Sequence, residues 1–115
     1  RVLALFWADH DMKLDEALAV ARRERESRAD IYTSDALAWC LYKKGQYAEA
    51  KTAIDEALRL GTRDANINYH AGMIYRALGE RRAATKHLQL ALKINPTFDV
   101  LQAEVARQAL RALAA

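Results

Sequence analysis

The sequence has few of the residues that crosslink a chain or break its helices. It contains one cysteine, one proline and four glycines among 115 residues, and aromatic residues make up 8%. A single cysteine, Cys40, excludes an internal disulfide, and scarce proline and glycine leave few points at which helices must end. No segment alternates between apolar and polar residues for long enough to predict a strand. Disulfide scaffolds and sheet folds are therefore excluded.

Long apolar runs are also absent. The run from Val2 to Trp7 is too short to span a bilayer and has no cleavage site of small residues after it. We therefore expect neither a signal peptide nor a membrane anchor. The lone Cys40 fits a reducing compartment, so we expect a cytoplasmic protein, while export of the parent protein stays open because many exported proteins lack disulfides.

The residues that are present favour helix. The chain is rich in Ala, Leu, Arg, Glu and Lys, and hydrophobic residues make up 52%. Its length suits one domain with a modest core. Because it begins inside an apolar helical pattern without an initiator Met, we interpret it as a fragment of a longer protein. We predict a single all-α domain, 1–115, with helices at residues 1–9, 12–26, 31–44, 47–60, 64–78, 80–94 and 97–113.

An internal repeat is the strongest signal. Residues 31–64 and 65–98 superimpose without a gap at an offset of 34 residues. Small residues recur at matched positions: Ala38 with Gly72, Gly45 with Gly79, Ala50 with Ala84 and Ala57 with Ala91. Small side chains let two helices approach closely, and glycine tolerates the positive φ that ends many helices. With the closing Pro96, this pattern closely resembles the tetratricopeptide repeat family, and we interpret the chain as a bacterial-type member.

The resemblance implies a right-handed solenoid of helical hairpins, with about two and a half repeats and roughly seven helices. We expect a truncated, degenerate repeat in 1–30, full repeats in 31–64 and 65–98, and a capping helix in 99–115. The truncated repeat carries one additional residue in its turn, near Asp9–Met12. Thr97 is predicted as the N-cap of the capping helix, whose apolar side would hold Leu101, Val105, Ala109 and Leu113.

The family commonly binds other proteins on the concave face that the first helix of each hairpin lines. Spacings of three and four place the inward positions of each helix on one stripe. Aromatic residues, Met and Arg are enriched at protein interfaces. We therefore predict a protein–protein interaction scaffold that binds a peptide or partner helix in a concave aromatic groove. The predicted groove residues are Tyr32, Asp35, Trp39, Tyr42, Asn66, Tyr69, Met73 and Arg76.

The aromatic residues have an alternative role as packing residues between neighbouring helices. Tyr47 and Tyr75 fall on core positions of the family, and we assign both to structure. One subgroup of the family grips the C-terminal carboxylate of chaperones with Lys and Asn at inward positions. Asp35 and Trp39 do not match those residue types, so we do not expect that function.

Charge differs between the two halves. Residues 1–60 carry ten Lys/Arg and eleven Asp/Glu (10 − 11 = −1), whereas residues 61–115 carry eight and four (8 − 4 = +4). A basic patch in the second half would steer acidic partners, or it is simply a solvated helical surface. Polyanion or nucleic-acid binding is therefore an alternative function, although nucleic acid is the disfavoured partner, and weak homo-oligomerisation is another. The patch residues are Arg63, Arg76, Arg81, Arg82, Lys86 and Lys93.

No catalytic, metal or cofactor site is predicted. The three histidines lie at no spacing typical of zinc, no HExxH or paired-Cys motif occurs, and the four glycines are isolated rather than gathered in a phosphate loop. Cys40 with His70 and Asp35 is the only conceivable nucleophilic set. A cysteine beside Trp39 on a helix is more often a small buried residue. We therefore predict that the protein is not an enzyme.

Overall fold

A computed structural model describes residues 2–115 of the chain, with side chains from Leu3 onward. The only regular secondary structure in this part is α-helix, with no strand, as predicted. The helix ends lie within three residues of those expected. Arg1, the predicted start of the first helix, lies outside the described residues. The helices are α1 (Val2–Asp9), α2 (Leu14–Ser27), α3 (Ile31–Lys43), α4 (Tyr47–Ala57), α5 (Ala65–Ala77), α6 (Arg81–Ile94) and α7 (Val100–Ala114).

The chain forms two compact units, Arg1–Leu60 and Gly61–Ala115. In the first unit, α1 packs against α2 and α3, and α3 also packs against α2 and α4. In the second unit, α5 packs against α6, which also contacts α7. The pairs α3–α4 and α5–α6 are helical hairpins that coincide with the two 34-residue segments, so the sequence repeat is also a structural repeat.

Small residues lie where the helices of each hairpin meet. The four repeated alanines are fully buried: Ala50, Ala57, Ala84 and Ala91. The approach is also close at Gly72 on α5, where an added Cβ would lie 2.5 Å from Cγ of Leu88 on α6. Larger side chains at such positions force helices apart. The small residues of the repeat therefore set the spacing within the hairpins.

The turn between the two helices of each hairpin uses left-handed backbone. Gly45 and Gly79 have φ of 80° and 78°. In the turn between α1 and α2, Asp11 takes the glycine's place with φ of 53°, a conformation that Asp tolerates better than most residues. Lys13, with φ of 47°, is a second left-handed residue in this turn, which is one residue longer, and precedes α2 directly. The one-residue change of offset in the sequence therefore corresponds to this turn.

The last helix differs in two respects from the prediction. Its N-cap is Asp99 rather than Thr97, because the Asp99 carboxylate accepts hydrogen bonds from the backbone N–H groups of the first turn of α7. Its buried side differs in part, since Ala109 is buried as predicted but Leu101 and Val105 are 76% and 39% exposed. The residues that α7 buries are Ala103, Ala106 and Ala109.

Candidate functional site

The eight predicted groove residues lie on α3 and α5, the first helices of the two hairpins. In the first unit, Tyr32 is 42% exposed at the start of α3, and Tyr42 is half-buried near its end. Asp35 and Trp39 lie between them and are buried. Because α1 packs against α3, only Tyr32 and Tyr42, at the two ends of the predicted stripe, are accessible. The buried Asp35 and Trp39 fit the alternative interpretation, in which these side chains pack between helices.

Trp39 is a buried packing residue of the first unit with specific contacts to its neighbours. Its indole Nε1–H donates a hydrogen bond to Oδ1 of Asp9 over 2.8 Å. The Lys43 ammonium lies 5.6 Å from the Trp39 ring centroid, close enough for a cation–π contact. The Tyr42 ring stacks on the Trp39 ring, with centroids 4.7 Å apart and planes at 8°. This stack orients the half-exposed Tyr42 side chain.

Tyr47 does not lie in the core, where the family pattern placed it. It is 39% exposed, because it is the first residue of α4 and directly follows the turn. Its ring centroid lies 5.6 Å from that of Tyr42. Trp39, Tyr42 and Tyr47 therefore form an aromatic cluster with one buried ring and two accessible ones. Tyr75, the other tyrosine assigned to structure, is buried as expected.

The second unit repeats this arrangement on α5. Asn66 and Arg76 are exposed towards the two ends of the helix, whereas Tyr69 and Met73 are buried. The Tyr69 ring packs 5.4 Å from the ring of Phe98, which lies in the loop before α7. Phe98 carries no sequence signal of its own, because loops after a proline show no periodicity. Of the predicted residues on α5, only Asn66 and Arg76 are accessible.

A partly buried hydrogen-bond network around Asn68 connects α5 and α6. Oδ1 of Asn68 lies 2.8 Å from Nδ1 of His87, and the Asn68 amide donates to the carbonyl oxygens of Thr62 and Asp64 over 3.2 Å and 2.9 Å. These bonds satisfy the polar atoms of a buried side chain. His87 therefore has a structural role. Over residues 2–115, no group of three or more His, Cys, Asp or Glu is placed to hold a metal ion.

Cys40 lies in the core of the first unit. It is fully buried, its Sγ lies 3.9 Å from the carbonyl oxygen of Ala4 on α1, and burial raises the pKa of its thiol to about 12. A nucleophilic cysteine needs a lowered pKa and access for its substrate. The Cys40 thiol instead stays protonated near neutral pH, so its environment is that of a packing residue.

The predicted basic patch is divided among three segments of the second unit. Arg63 precedes α5, Arg76 lies near the end of α5, and four exposed cations lie on α6: Arg81, Arg82, Lys86 and Lys93. The Arg81 guanidinium donates a hydrogen bond to the carbonyl oxygen of Leu113 on α7. Beside this bond lies a cleft of about 420 Å³ between α6 and α7, which Arg81, Arg82 and Lys86 help to line.

Two sequence models, each described as a tetratricopeptide repeat, match residues 33–63 and 65–98. Each match falls on one hairpin. Anaphase-promoting complex subunit 3 of Schizosaccharomyces pombe is 38% identical over 56 residues, which are 49% of this chain and 8% of that protein. This chain therefore corresponds to a small part of that curated relative. No solved structure matches the chain significantly.

The fold and the sequence matches agree. None of the helices described from Val2 onward combines the length and hydropathy that crossing a bilayer requires. Repeats of this type are in general non-enzymatic modules that bind other proteins. With two hairpins that coincide with the two matches, the chain belongs to the tetratricopeptide repeat family of protein–protein interaction scaffolds.

Proposed function

We propose that this chain binds a peptide or a helix of a partner protein on the first helices of its hairpins. The accessible contact residues are Tyr32 and Tyr42 on α3, Asn66 and Arg76 on α5, and Tyr47, which begins α4 beside Tyr42. Each unit presents its own contact surface. The remaining members of the predicted groove are packing residues that shape these surfaces: Asp35, Trp39, Tyr69 and Met73.

The aromatic cluster is the observation that carries this proposal. Tyr42 and Tyr47 offer ring surface and hydroxyl groups to a partner, while stacking on the buried Trp39 orients the Tyr42 ring. A contact residue that is already ordered loses little conformational freedom on binding. Tyrosine is also among the residues that contribute most to binding energy at interfaces. Such a surface suits an apolar or amphipathic segment.

The relative in Schizosaccharomyces pombe also favours a protein partner. By its name, that protein is a subunit of a complex. We infer that this chain, too, contacts another subunit of a protein assembly. A small-molecule ligand would instead need an enclosed apolar pocket, and the aromatic cluster lies at the surface.

Selection of binding peptides tests the proposal without knowledge of the natural partner. Peptides that bind the full chain are selected from a random display library, and their dissociation constants are measured for wild type, Tyr32→Ala, Tyr42→Ala and a control, Phe6→Ala. Phe6 is an exposed aromatic residue on α1, outside the cluster. We expect Tyr42→Ala to weaken binding by about tenfold, as for a central interface residue. Tyr32→Ala should have a smaller effect, because Tyr32 lies at the other end of α3, outside the cluster.

The fold of each variant is checked by circular dichroism and urea unfolding. Tyr42→Phe, which retains the stacked ring, should keep most of the affinity, so that loss of contact is distinguished from loss of structure. If every selected peptide binds the tyrosine variants as tightly as wild type, the binding surface lies elsewhere and the proposal fails.

A further inference from the structure

The outer side of α6 carries a row of cations that the proposed groove function does not use. Arg82, Lys86 and Lys93 are exposed, and no acidic residue occurs between Arg81 and Ile94. Within the described part of the chain, none of the three forms an ion pair with a carboxylate. Like charges four residues apart on a helix repel each other. Arg82 and Lys86 therefore repel each other on α6, and Glu80, directly before the helix, is the carboxylate that lines a surface hollow with them.

Part of the row lines the cleft between α6 and α7. Side chains of α6 supply cationic groups and neutral hydrogen-bonding groups, and Leu113 on α7 supplies apolar surface. The hydrogen bond from Arg81 to the Leu113 carbonyl oxygen connects the two helices at one side of the cleft. The cleft therefore combines positive charge, neutral polar groups and an apolar contact. Its lining residues are Arg81, Arg82, Thr85, Lys86, Gln89 and Leu113.

The first hairpin shows that the repeat does not need these cations. At the offset of 34 residues, Arg82 corresponds to Ala48, Lys86 to Thr52 and Gln89 to Asp55. Helix α4 packs against α3 with those neutral or acidic residues at the matched positions. Arg82 and Lys86 are therefore features of the second hairpin rather than requirements of the fold, whereas Lys93 has a counterpart in Arg59.

We propose that the α6–α7 cleft binds an acidic peptide segment of a partner protein, at a site separate from the aromatic cluster. Arg82 and Lys86 lie one turn apart, about 6 Å along the helix axis. Alternate side chains of an extended peptide repeat about every 7 Å. Two carboxylates on alternate residues therefore match the two cations, while Thr85 and Gln89 can hydrogen-bond to the peptide backbone.

A peptide fits this cleft better than a nucleic acid does. Binding to single-stranded nucleic acid relies on aromatic side chains that stack with bases, and none of the lining residues is aromatic. It also relies on contacts with many phosphates. Here Lys93, the remaining cation of the row, lies about two turns beyond Lys86 and does not line the cleft. The mixed polar and apolar lining is that of a protein interface.

NMR titration of the isotope-labelled 115-residue chain tests the proposal. The probe is a short capped peptide of alternating glutamate and serine, and the control peptide has glutamine in place of glutamate. We expect the acidic peptide to shift the amide signals of residues 81–89 and of Leu113, and the glutamine peptide to leave them unchanged. Higher salt should weaken the binding, because the contacts are ionic.

A matched pair of double variants tests which cations bind. Arg82→Ala/Lys86→Thr installs the residues that the first hairpin carries at these positions, so the fold should be retained. Arg23→Ala/Arg63→Ala removes the same charge from exposed arginines outside the cleft. We expect Arg82→Ala/Lys86→Thr to raise the dissociation constant about three- to tenfold, because two exposed ion pairs with the peptide are lost. Arg23→Ala/Arg63→Ala should change the dissociation constant little.

Three outcomes would overturn the proposal. Equal weakening by both double variants would show attraction to net charge rather than binding in the cleft. Amide shifts confined to residues outside α6 and α7 would place the peptide elsewhere. Tighter binding of a short oligothymidine than of the acidic peptide, with the same loss in Arg82→Ala/Lys86→Thr, would assign the cleft to nucleic acid. None of these outcomes depends on the aromatic cluster, so failure here leaves the groove proposal standing.

Discussion

Replacement of Trp39 by alanine tests the central packing contact of the first unit. Trp39 is 2% exposed, stacks on Tyr42 and donates a hydrogen bond to Asp9. Truncating a buried tryptophan to alanine costs about 3–5 kcal/mol, from lost burial and from the cavity that remains. Loss of the hydrogen bond adds little, because Asp9 is exposed and water can replace the indole donor.

This loss is large relative to the total stability. A chain of 115 residues has a free energy of unfolding of about 6–17 kcal/mol, at about 0.05–0.15 kcal/mol per residue. The first unit holds roughly half of the chain, so Trp39→Ala should remove much of its stability. We expect urea unfolding, followed by far-UV circular dichroism, to begin at a clearly lower denaturant concentration than in wild type.

Two control variants separate the causes. Trp39→Phe retains a buried ring without the indole N–H, and we expect it to lose less than half as much stability as the alanine variant. Phe6→Ala truncates an exposed aromatic residue of the same unit and should cost less than about 1 kcal/mol. A Trp39→Ala protein as stable as Phe6→Ala would refute the reasoning, because Trp39 would then contribute no core packing.

Two further predictions concern close packing and charge. Gly72→Ala forces a Cβ against Leu88 and should lower the free energy of unfolding, measured in urea, by about 1–3 kcal/mol. The double variant Gly72→Ala/Leu88→Ile copies Ala38 and Ile54 of the first hairpin and should recover most of this stability. No recovery would contradict the packing argument. A hydrogen bond from Arg25 lowers the pKa of Glu56 in the folded protein. The pair therefore stabilises the fold above the pKa of glutamate in the unfolded chain, about 4.3, and this stabilisation is lost as the pH falls further and Glu56 is protonated. In Glu56→Gln, Tm should therefore fall less steeply than in wild type as the pH drops below about 4.3. The same dependence of Tm on pH in both proteins would show that the pair contributes nothing.

The helices and the repeat were predictable because they depend on local rules. A glycine at the end of a helix, small residues at fixed spacing and a 34-residue offset act within short stretches of chain, so the sequence alone reveals them. The start of α7 was less predictable. Thr97 and Asp99 are both good N-cap residues, and the choice of Asp99 depends on which backbone N–H groups the final geometry presents to its carboxylate.

The candidate site was predictable only as a helical stripe. Periodicity places Tyr32, Trp39 and Tyr42 on one side of α3, but it does not say which neighbouring helix covers that side. Tyr47 shows the opposite case, because the family pattern assigns it to the core while its place at the start of α4 leaves it partly exposed. Which of these side chains are exposed therefore depends on how the helices of each unit pack.

The sequence by itself determined the helical class, the hairpin repeat, the family and the set of residues from which a binding surface can be drawn. These features follow from backbone preferences and short-range spacing. Only the tertiary structure decided that Trp39 is buried while Tyr42 stays partly exposed, and that Arg82 and Lys86 line a cleft with Leu113. Such choices depend on contacts between residues far apart in the chain, whose partners no local pattern specifies.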